Sequence, residues 1–207
     1  MAVDLAALLA PPHAALVANE CQRGVIGDHS LLPELARAAG PVVPAIARLA
    51  AAARRAGVPV VHTTAIRRAD GRGSNQNARL FMATRRSPKP MAPGTPQAEI
   101  VPEIGVAESD LVLPRMHGLS PMSGTELDPV LRNLGVRTIV AVGVSVNVAI
   151  ANLVFDAVNA GYQVVVPRDA VAGLPPSYVD AVFEHTLGFL ATVTTTAEVL
   201  RVWDAAR

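Results

Sequence analysis

The chain has 207 residues, a length that fits one domain better than two, so we expect residues 1–207 to form a single domain. Hydrophobic residues make up 51% of the chain and charged residues only 17%, which excludes an intrinsically disordered protein. The 18 Lys and Arg residues nearly balance the 17 Asp and Glu residues, and the net charge of +1 argues against a nucleic-acid-binding protein.

The composition also bears on location and cysteine chemistry. The N-terminal apolar run follows an acidic residue, Asp4, and ends at Pro11 and Pro12, so it does not resemble a targeting segment. No stretch reaches the ~20 uninterrupted apolar residues that a membrane-spanning helix needs. We therefore expect a cytoplasmic protein that does not enter a membrane. The single cysteine, Cys21, excludes an intrachain disulfide and a cysteine-based zinc site.

Apolar runs alternate with helical patterns along the chain. In chain order, we predict a strand at 13–19, a helix at 41–56, a strand at 58–66, a short helix near 77–82, a strand at 110–115, a helix at 126–134, a strand at 137–144, a helix at 147–160, a strand at 162–167, a helix at 177–190, a strand at 191–194 and a helix at 197–203. Strands that are apolar on both faces and alternate with helices predict an α/β fold with a parallel sheet covered on both sides. Residues 67–109 form a long irregular connection, which in a compact domain is usually functional or mobile.

Ligands of such folds bind beyond the carboxyl ends of the strands, and this rule nominates residues before any motif is considered. The candidates are Glu20 and Gln22 after the first strand, His62 and the loop beyond the second strand, Arg115 and His117 after the third, Ser145–Asn147 after the fourth and Asp169 after the fifth. A small-molecule ligand is the partner that this edge of a sheet usually binds.

Glu20 is the candidate acid or base, because a carboxyl group at a cleft can transfer protons once its surroundings tune its pKa. An ordinary solvated strand-end acid is the equally plausible alternative. Cys21 is predicted to be a small buried structural residue. Its side chain points away from that of Glu20 in a strand, and a reactive thiolate needs a positive rather than a negative neighbour.

The segment from Gly143 to Ala149 joins a strand to a helix. Asn147 or Ser145 suits the N-cap, and the first amides of the helix could then face an anion in the cleft. An ordinary capped turn explains the same spacing. Arg115 could hold a carboxylate with two hydrogen bonds, or form a surface salt bridge.

Motifs for metals and nucleotide cofactors are not found. His62 and His117 are isolated histidines, and no HxH or HExxH spacing occurs, so we predict no metal site. Neither GxGxxG nor GxxxxGK[ST] occurs, so no cofactor is predicted. Lys89 is the only lysine, which leaves one candidate for any chemistry that requires this residue.

Taken together, several segments resemble the isochorismatase-like hydrolases, a family that includes nicotinamidases and carbamoylsarcosine amidohydrolases. The segments are ALVANECQRG at 15–24, RLAAAARRAGVPVVHT at 48–63, APGTPQAEIVPEI at 92–104, DLVLPRMHGLSPMSGTELD at 110–128 and TIVAVGVSVNVAIANLVFDAVNAGYQVVVPRDAVAG at 138–173. The resemblance implies a three-layer Rossmann-like fold with a six-stranded, mainly parallel sheet in the order 3-2-1-4-5-6. It also implies a homo-oligomer, a dimer or a tetramer.

The amidohydrolases of this family use an aspartate, a lysine and a cysteine, and the resemblance places Glu20, Arg115 and Ala149 at those positions. Ala149 has no nucleophilic atom, so the covalent thioester route is closed there. Arginine keeps the charge of lysine but does not readily give up a proton. The resemblance further implies that Gln22, His62, His117, Ser145, Val146, Asn147 and Ala149 surround the substrate.

Three functions remain open at this point. The first is hydrolysis of the isochorismatase kind, in which Glu20 protonates a vinyl ether and Arg115 binds a substrate carboxylate. The second is a catalytically inactive binding or regulatory protein that keeps the pocket. The third, less favoured, is an amidohydrolase in which Glu20 activates water directly. In each case the ligand is a small carboxylate or amide metabolite.

Overall fold

The computed structural model describes residues 4–85 and 90–206. Seven strands form one parallel sheet: β1 Ala14–Asn19, β2 Val60–Ala65, β3 Leu111–Arg115, β4 Thr138–Val144, β5 Gln163–Pro167, β6 Val171–Ala172 and β7 Thr192–Thr194. The order along the sheet is β3-β2-β1-β4-β5-β7, and the two-residue strand β6 pairs with the end of β4. Strands β1 and β4, at the centre, are buried along their whole length.

Helices cover both faces of the sheet. They are α1 Leu5–Leu8, α2 Pro33–Ala39, α3 Val43–Ala56, α4 Arg79–Arg85, α5 Leu127–Asn133, α6 Ala151–Asn159, α7 Pro176–Val182, α8 Gly188–Leu190 and α9 Thr196–Ala205. Turns of π-helix precede α6, at Val146–Ile150, and α8, at Phe183–Leu187. Short 3₁₀ turns occupy Pro11–His13, Pro96–Ala98 and Arg168–Ala170.

Two apolar clusters hold these layers together, because successive strand side chains point to opposite faces. On one face, Leu16 and Ala18 of β1 pack with Leu49 of α3 and Trp203 of α9. On the other face, Ala15 and Val17 pack in the cluster that contains α5, α6 and the π turn before α8. The three-layer α/β prediction and its strand order are confirmed.

The structure adds details that the periodicity did not predict. Helices α1 and α2 were not predicted, and the strand predicted at 191–194 is the seventh rather than the sixth, because β6 precedes it. The short helix predicted near 77–82 occurs at Arg79–Arg85. Lys89, the one candidate for chemistry that requires a lysine, lies outside the described residues.

Within residues 4–85 and 90–206, no single helix is long and apolar enough to cross a membrane. Helices α2 and α3 reach that length and apolar composition only as a pair, which is bent by 59°.

Candidate functional site

The site is centred on the carboxyl ends of β1 and β4, which lie side by side. Asn19 at the end of β1 pairs with Gly143 of β4. Gly143 has a φ of 106°, and a Cβ atom there would lie 2.2 Å from the backbone oxygen of Asn19. Only glycine therefore allows this close approach, which brings Glu20 and Ser145 to the same edge of the sheet.

Glu20 and Arg115 form an ion pair across two strands. Glu20 directly follows β1 in a left-handed conformation with a φ of 51°. Arg115 is the last residue of β3, and its Nη2 donates to Oε1 of Glu20. The two side chains are 8% (Arg115) and 17% (Glu20) exposed, so the pair is largely but not completely withdrawn from water.

Backbone carbonyls fix the guanidinium group of this pair. Nε of Arg115 donates to the oxygen of Ser120 at 3.1 Å, and Nη2 also donates to the oxygen of Leu119 at 3.2 Å. Nη1 makes no hydrogen bond among the residues that the structure describes. Arg115 therefore has a fixed orientation and retains donor capacity toward the cleft that it lines.

The turn after β4 forms a second side of the site. It begins with a cis peptide between Val144 and Ser145 and continues into the π turn Val146–Ile150. The Ser145 side chain makes no capping hydrogen bond, and Asn147 instead donates from Nδ2 to the oxygen of Leu174 at 3.0 Å. Ser145 therefore occupies the N-cap position, as one of the two predicted alternatives, but no side-chain hydrogen bond caps the turn.

Oδ1 of Asn147 is the unsatisfied atom of this turn. It is buried and has no hydrogen-bond partner in the described part of the chain, and the same is true of Ser74 Oγ on the facing loop. An acceptor in this state costs about 1–3 kcal/mol, so a donor that reaches it would be bound favourably. Both residues line the cleft described next.

A cleft of about 360 Å³ opens over the ion pair. It brings together six predicted residues: Glu20, Arg115, His117, Ser145, Asn147 and Ala149. The remaining wall is mainly apolar and includes Val25, Leu31, Leu32, Leu35, Ile66, Leu80, Phe81, Met91, Met116, Leu119, Val148 and Leu174. Such a combination of apolar walls and a few convergent polar groups is typical of small-molecule sites.

Four of the predicted residues lie outside this cleft lining. Asp169 instead accepts hydrogen bonds from the backbone N–H and the hydroxyl of Thr196, at 2.7 and 3.0 Å, at the start of α9. Gln22 is buried and bonds the backbone of Ala65 through both ends of its amide, at 2.8 and 2.9 Å, so it holds β2 beside the residues that follow β1. Val146 points into the core cluster that contains α6. These two predictions are corrected: the residues support the site from behind.

The position of His62 also requires a correction. His62 lies in the middle of β2, three residues before its end, and is completely buried. Its Nε2 lies 3.0 Å from Oδ2 of Asp110, and the same carboxylate pairs with Arg54 of α3 at 2.6 Å. His62 therefore belongs to a buried charged cluster beneath the sheet edge, not to the cleft.

Cys21 occupies the place predicted for it. The thiol is fully buried in the core cluster that contains α3, and its Sγ lies 3.6 Å from the oxygen of Asn19. Burial, with a smaller effect of the neighbouring Glu20 charge, raises the pKa of the thiol to about 12. A thiol in this state is neither ionised nor accessible from the cleft.

Comparison with known proteins assigns the family. Residues 14–198 match the model of the isochorismatase domain. The ureidoacrylate amidohydrolase of Methylorubrum extorquens is 32% identical over 173 residues, which cover 77% of this chain and 69% of the relative. The chain belongs to the isochorismatase family. An isochorismatase-family protein of Bacillus subtilis is 34% identical over 93 residues, only 47% of its length.

Solved structures of family members have the same fold. A cysteine hydrolase from Pseudomonas syringae superposes with a TM-score of 0.82 at 25% identity, and 95% of each chain is covered. An N-carbamoylsarcosine amidase from Thermoplasma acidophilum gives a TM-score of 0.69 at 25% identity, with 89% of this chain and 96% of that chain covered. The chain is therefore an isochorismatase-family hydrolase.

Within this isochorismatase-family fold, one wall of the cleft comes from the loop beyond the second strand, which was predicted as a candidate without naming the individual residues that line the cleft. Residues 66–91 contribute Ile66, Ser74, Leu80, Phe81 and Met91 to the lining. The sequence contains only a weak indication of these residues. The apolar residues Leu80, Phe81 and Met82 interrupt a mostly polar segment between Ile66 and Met91.

Proposed function

We propose that this chain hydrolyses a small amide by acid–base chemistry at Glu20, without a covalent enzyme intermediate. The Glu20–Arg115 ion pair in the cleft carries this proposal. The names of two relatives, ureidoacrylate amidohydrolase and N-carbamoylsarcosine amidase, support the amide class of substrate.

The ion pair complements an amide better than a carboxylate. An amide has an acceptor oxygen, which suits the guanidinium of Arg115, and an N–H donor, which suits the carboxylate of Glu20. A substrate carboxylate in the same place would meet the like charge of Glu20. The arrangement therefore favours the amide over the carboxylate among the ligands considered above.

The proposed reaction uses water as the nucleophile. Glu20 accepts a proton from a water molecule as its oxygen attacks the amide carbon, and Arg115 stabilises the charge that develops on the carbonyl oxygen. Glu20 then returns the proton to the leaving nitrogen as the C–N bond breaks. The products are a carboxylic acid and an amine or ammonia.

This route also fits the charge state that the ion pair implies. The carboxylate of Glu20 accepts a hydrogen bond from Arg115, an arrangement that suits a base at the start of the cycle. Protonation of a vinyl ether would require Glu20 to acquire a proton first. Vinyl-ether hydrolysis is therefore the less favoured reaction, although the sequence-based interpretation preferred it.

The test compares turnover of ureidoacrylate, N-carbamoylsarcosine and isochorismate by the wild type, Glu20→Gln and Cys21→Ala. We expect amide turnover by the wild type, a reduction in kcat of about 10² to 10⁴ in Glu20→Gln, and a change of less than threefold in Cys21→Ala. An acylated Cys21 detected by mass spectrometry, or equal rates in wild type and Glu20→Gln, would contradict the proposal.

A ligand-binding protein without turnover is the second candidate. It is favoured by Ala149, which presents only a methyl group where the resemblance places a nucleophile, and by the engagement of Glu20 with Arg115. Ligand-induced thermal shifts without any turnover of the same amides would support this candidate over the hydrolase.

A further inference from the structure

The mouth of the cleft exposes an unusual amount of apolar side chain. Leu32, Leu80 and Met116 are exposed by 37%, 41% and 45%, and all three line the opening. Leu32 directly precedes α2, Leu80 lies in α4 and Met116 follows β3, so the three come from parts of the chain that are far apart in sequence. Apolar surface that converges at one opening marks a place where an apolar ligand is removed from water.

The wall that carries Leu80 and Phe81 is fixed to the rest of the domain. The backbone N–H of Arg67 donates to the oxygen of Met91 at 2.9 Å, and Nη1 of Arg67 donates to the oxygen of Thr84 at 2.8 Å. On the other side, the N–H of Gly118 donates to Oδ1 of Asn75 at 2.8 Å. Helix α4 is therefore held over the cleft, and the apolar wall is already formed without a ligand.

The size of the cleft limits its ligand. A volume of about 360 Å³ holds about a dozen non-hydrogen atoms at the ~30 Å³ that each water occupies in the liquid. An amide group at Glu20 and Arg115 uses three of them. About eight or nine atoms remain for the part of the ligand that meets Leu31, Leu35, Leu80, Phe81 and Met91.

We propose that the ligand is an amide with an apolar body of about seven to nine carbon atoms, which packs between α2 and α4 while its amide group meets Glu20 and Arg115. The proposal rests on the amide hydrolase proposed above and adds the chemistry of the rest of the substrate. A small polar amide would leave the apolar walls in contact with water and would fill only a fraction of the cleft.

The experiment measures binding of straight-chain primary amides from acetamide to dodecanamide by calorimetry or competition. Burial of each methylene group lowers the dissociation constant by about threefold to fourfold, so we expect a steady decrease up to a chain between octanamide and decanamide. The dissociation constant then levels off, because longer chains extend into water. A dissociation constant that does not change with chain length would overturn the proposal.

Two neighbouring residues of α4 provide a matched pair of variants. Leu80 lines the cleft, whereas Met82 lies on the outer side of the same helix, and the two are similarly exposed at 41% and 38%. Because both are at the surface, Leu80→Gln and Met82→Gln are expected to fold. Leu80→Gln should weaken octanamide binding about fivefold and acetamide binding by much less, while Met82→Gln should bind both like the wild type. Equal effects of the two variants would contradict the assignment of this wall.

The measurement separates this inference from the proposed function. Chain-length-dependent binding without hydrolysis would support the apolar subsite and count against the hydrolase. Hydrolysis of short and long amides at the same kcat/KM, with binding independent of chain length, would support the hydrolase and reject the apolar subsite.

Discussion

Cys21 and Ala149 together shape the chemistry that this chain can perform. The one sulfur atom able to act as a nucleophile is buried in the core cluster that contains α3, and Ala149, the fourth residue of the π turn, presents only a methyl group. The groups in the cleft that can move a proton are the carboxylate of Glu20, which is paired with Arg115, and the imidazole of His117. A hydrolase built on this site must therefore use water where a thiol would otherwise attack.

The burial of Cys21 leads to a direct prediction about its reactivity. Because the pKa of the thiol is raised to about 12, almost no thiolate exists at pH 8, and the sulfur is also inaccessible. We expect the folded protein to react with a thiol reagent such as dithionitrobenzoate at least 100-fold more slowly than the same protein in denaturant. Comparable rates in the two states would show that the thiol reaches solvent or a cleft.

The residues that could be predicted are those at strand ends. Glu20 and Arg115 follow or end their strands, and the rule for parallel sheets was enough to place them at one edge. The prediction that His62 lines the cleft was wrong because β2 continues for three more residues, about 10 Å, before it reaches that edge. The orientations of Gln22 and Val146 depend on bonds and packing between distant segments, which no local pattern encodes.

At the level of elements, the contact between β1 and β4 determines where the site lies. These strands approach so closely at their carboxyl ends that Gly143 leaves no room for a side chain beside Asn19. The sequence shows a glycine before the β4 turn, but the reason for it is visible only when the neighbouring strand is in place. The position of α4, by contrast, depends on side-chain hydrogen bonds, such as the one that Arg67 donates to the backbone of Thr84.

A substitution at Gly143 tests the importance of this strand contact. Gly143→Ala would place a methyl carbon 2.2 Å from the oxygen of Asn19, so β1 and β4 must separate, and we expect a loss of about 3 kcal/mol or more in the free energy of unfolding. Urea denaturation measures the difference.

Gly161→Ala is the matched control for this prediction. Gly161 also has a positive φ, 89°, but a Cβ atom there meets nothing within 4 Å. It should therefore lose only the ~1–2 kcal/mol of the left-handed backbone conformation. If the two variants lose the same free energy of unfolding, the close approach of β1 and β4 adds nothing to the cost of placing alanine at a positive φ.

The whole molecule follows the predicted architecture closely, because the alternation of buried strands and helices is repeated along the entire chain and each repeat reinforces the others.

What could not be predicted is the cluster that links three elements at the outer part of the sheet. His62 of β2, Asp110 before β3 and Arg54 of α3 meet in the interior although 56 residues separate Arg54 from Asp110. The predicted dimer or tetramer stays a prediction, tested by the mass of the protein in solution.

This cluster makes the stability of the molecule depend on pH in a defined direction. Burial lowers the pKa of His62 below its usual 6.5, with Arg54 acting in the same direction and Asp110 opposing. Burial alone would raise the pKa of Asp110, but hydrogen bonds from Arg54, the amide of Ala107 and His62 outweigh it and hold the pKa below the usual 3.8. In both cases the unfolded chain binds a proton more readily than the folded one.

We therefore expect the free energy of unfolding to fall as the pH drops below about 6.5. His62 contributes up to ~1.4 kcal/mol per pH unit to this decrease, which ends when His62 is protonated in the folded protein. A second decrease should begin below about pH 4, when Asp110 protonates in the unfolded chain. Urea unfolding between pH 8 and 5 measures the first window. His62→Gln should flatten it, while His185→Gln, at an exposed histidine on the π turn before α8, should retain the wild-type slope. If His185→Gln flattens the profile and His62→Gln does not, the buried cluster is not the origin of the pH dependence.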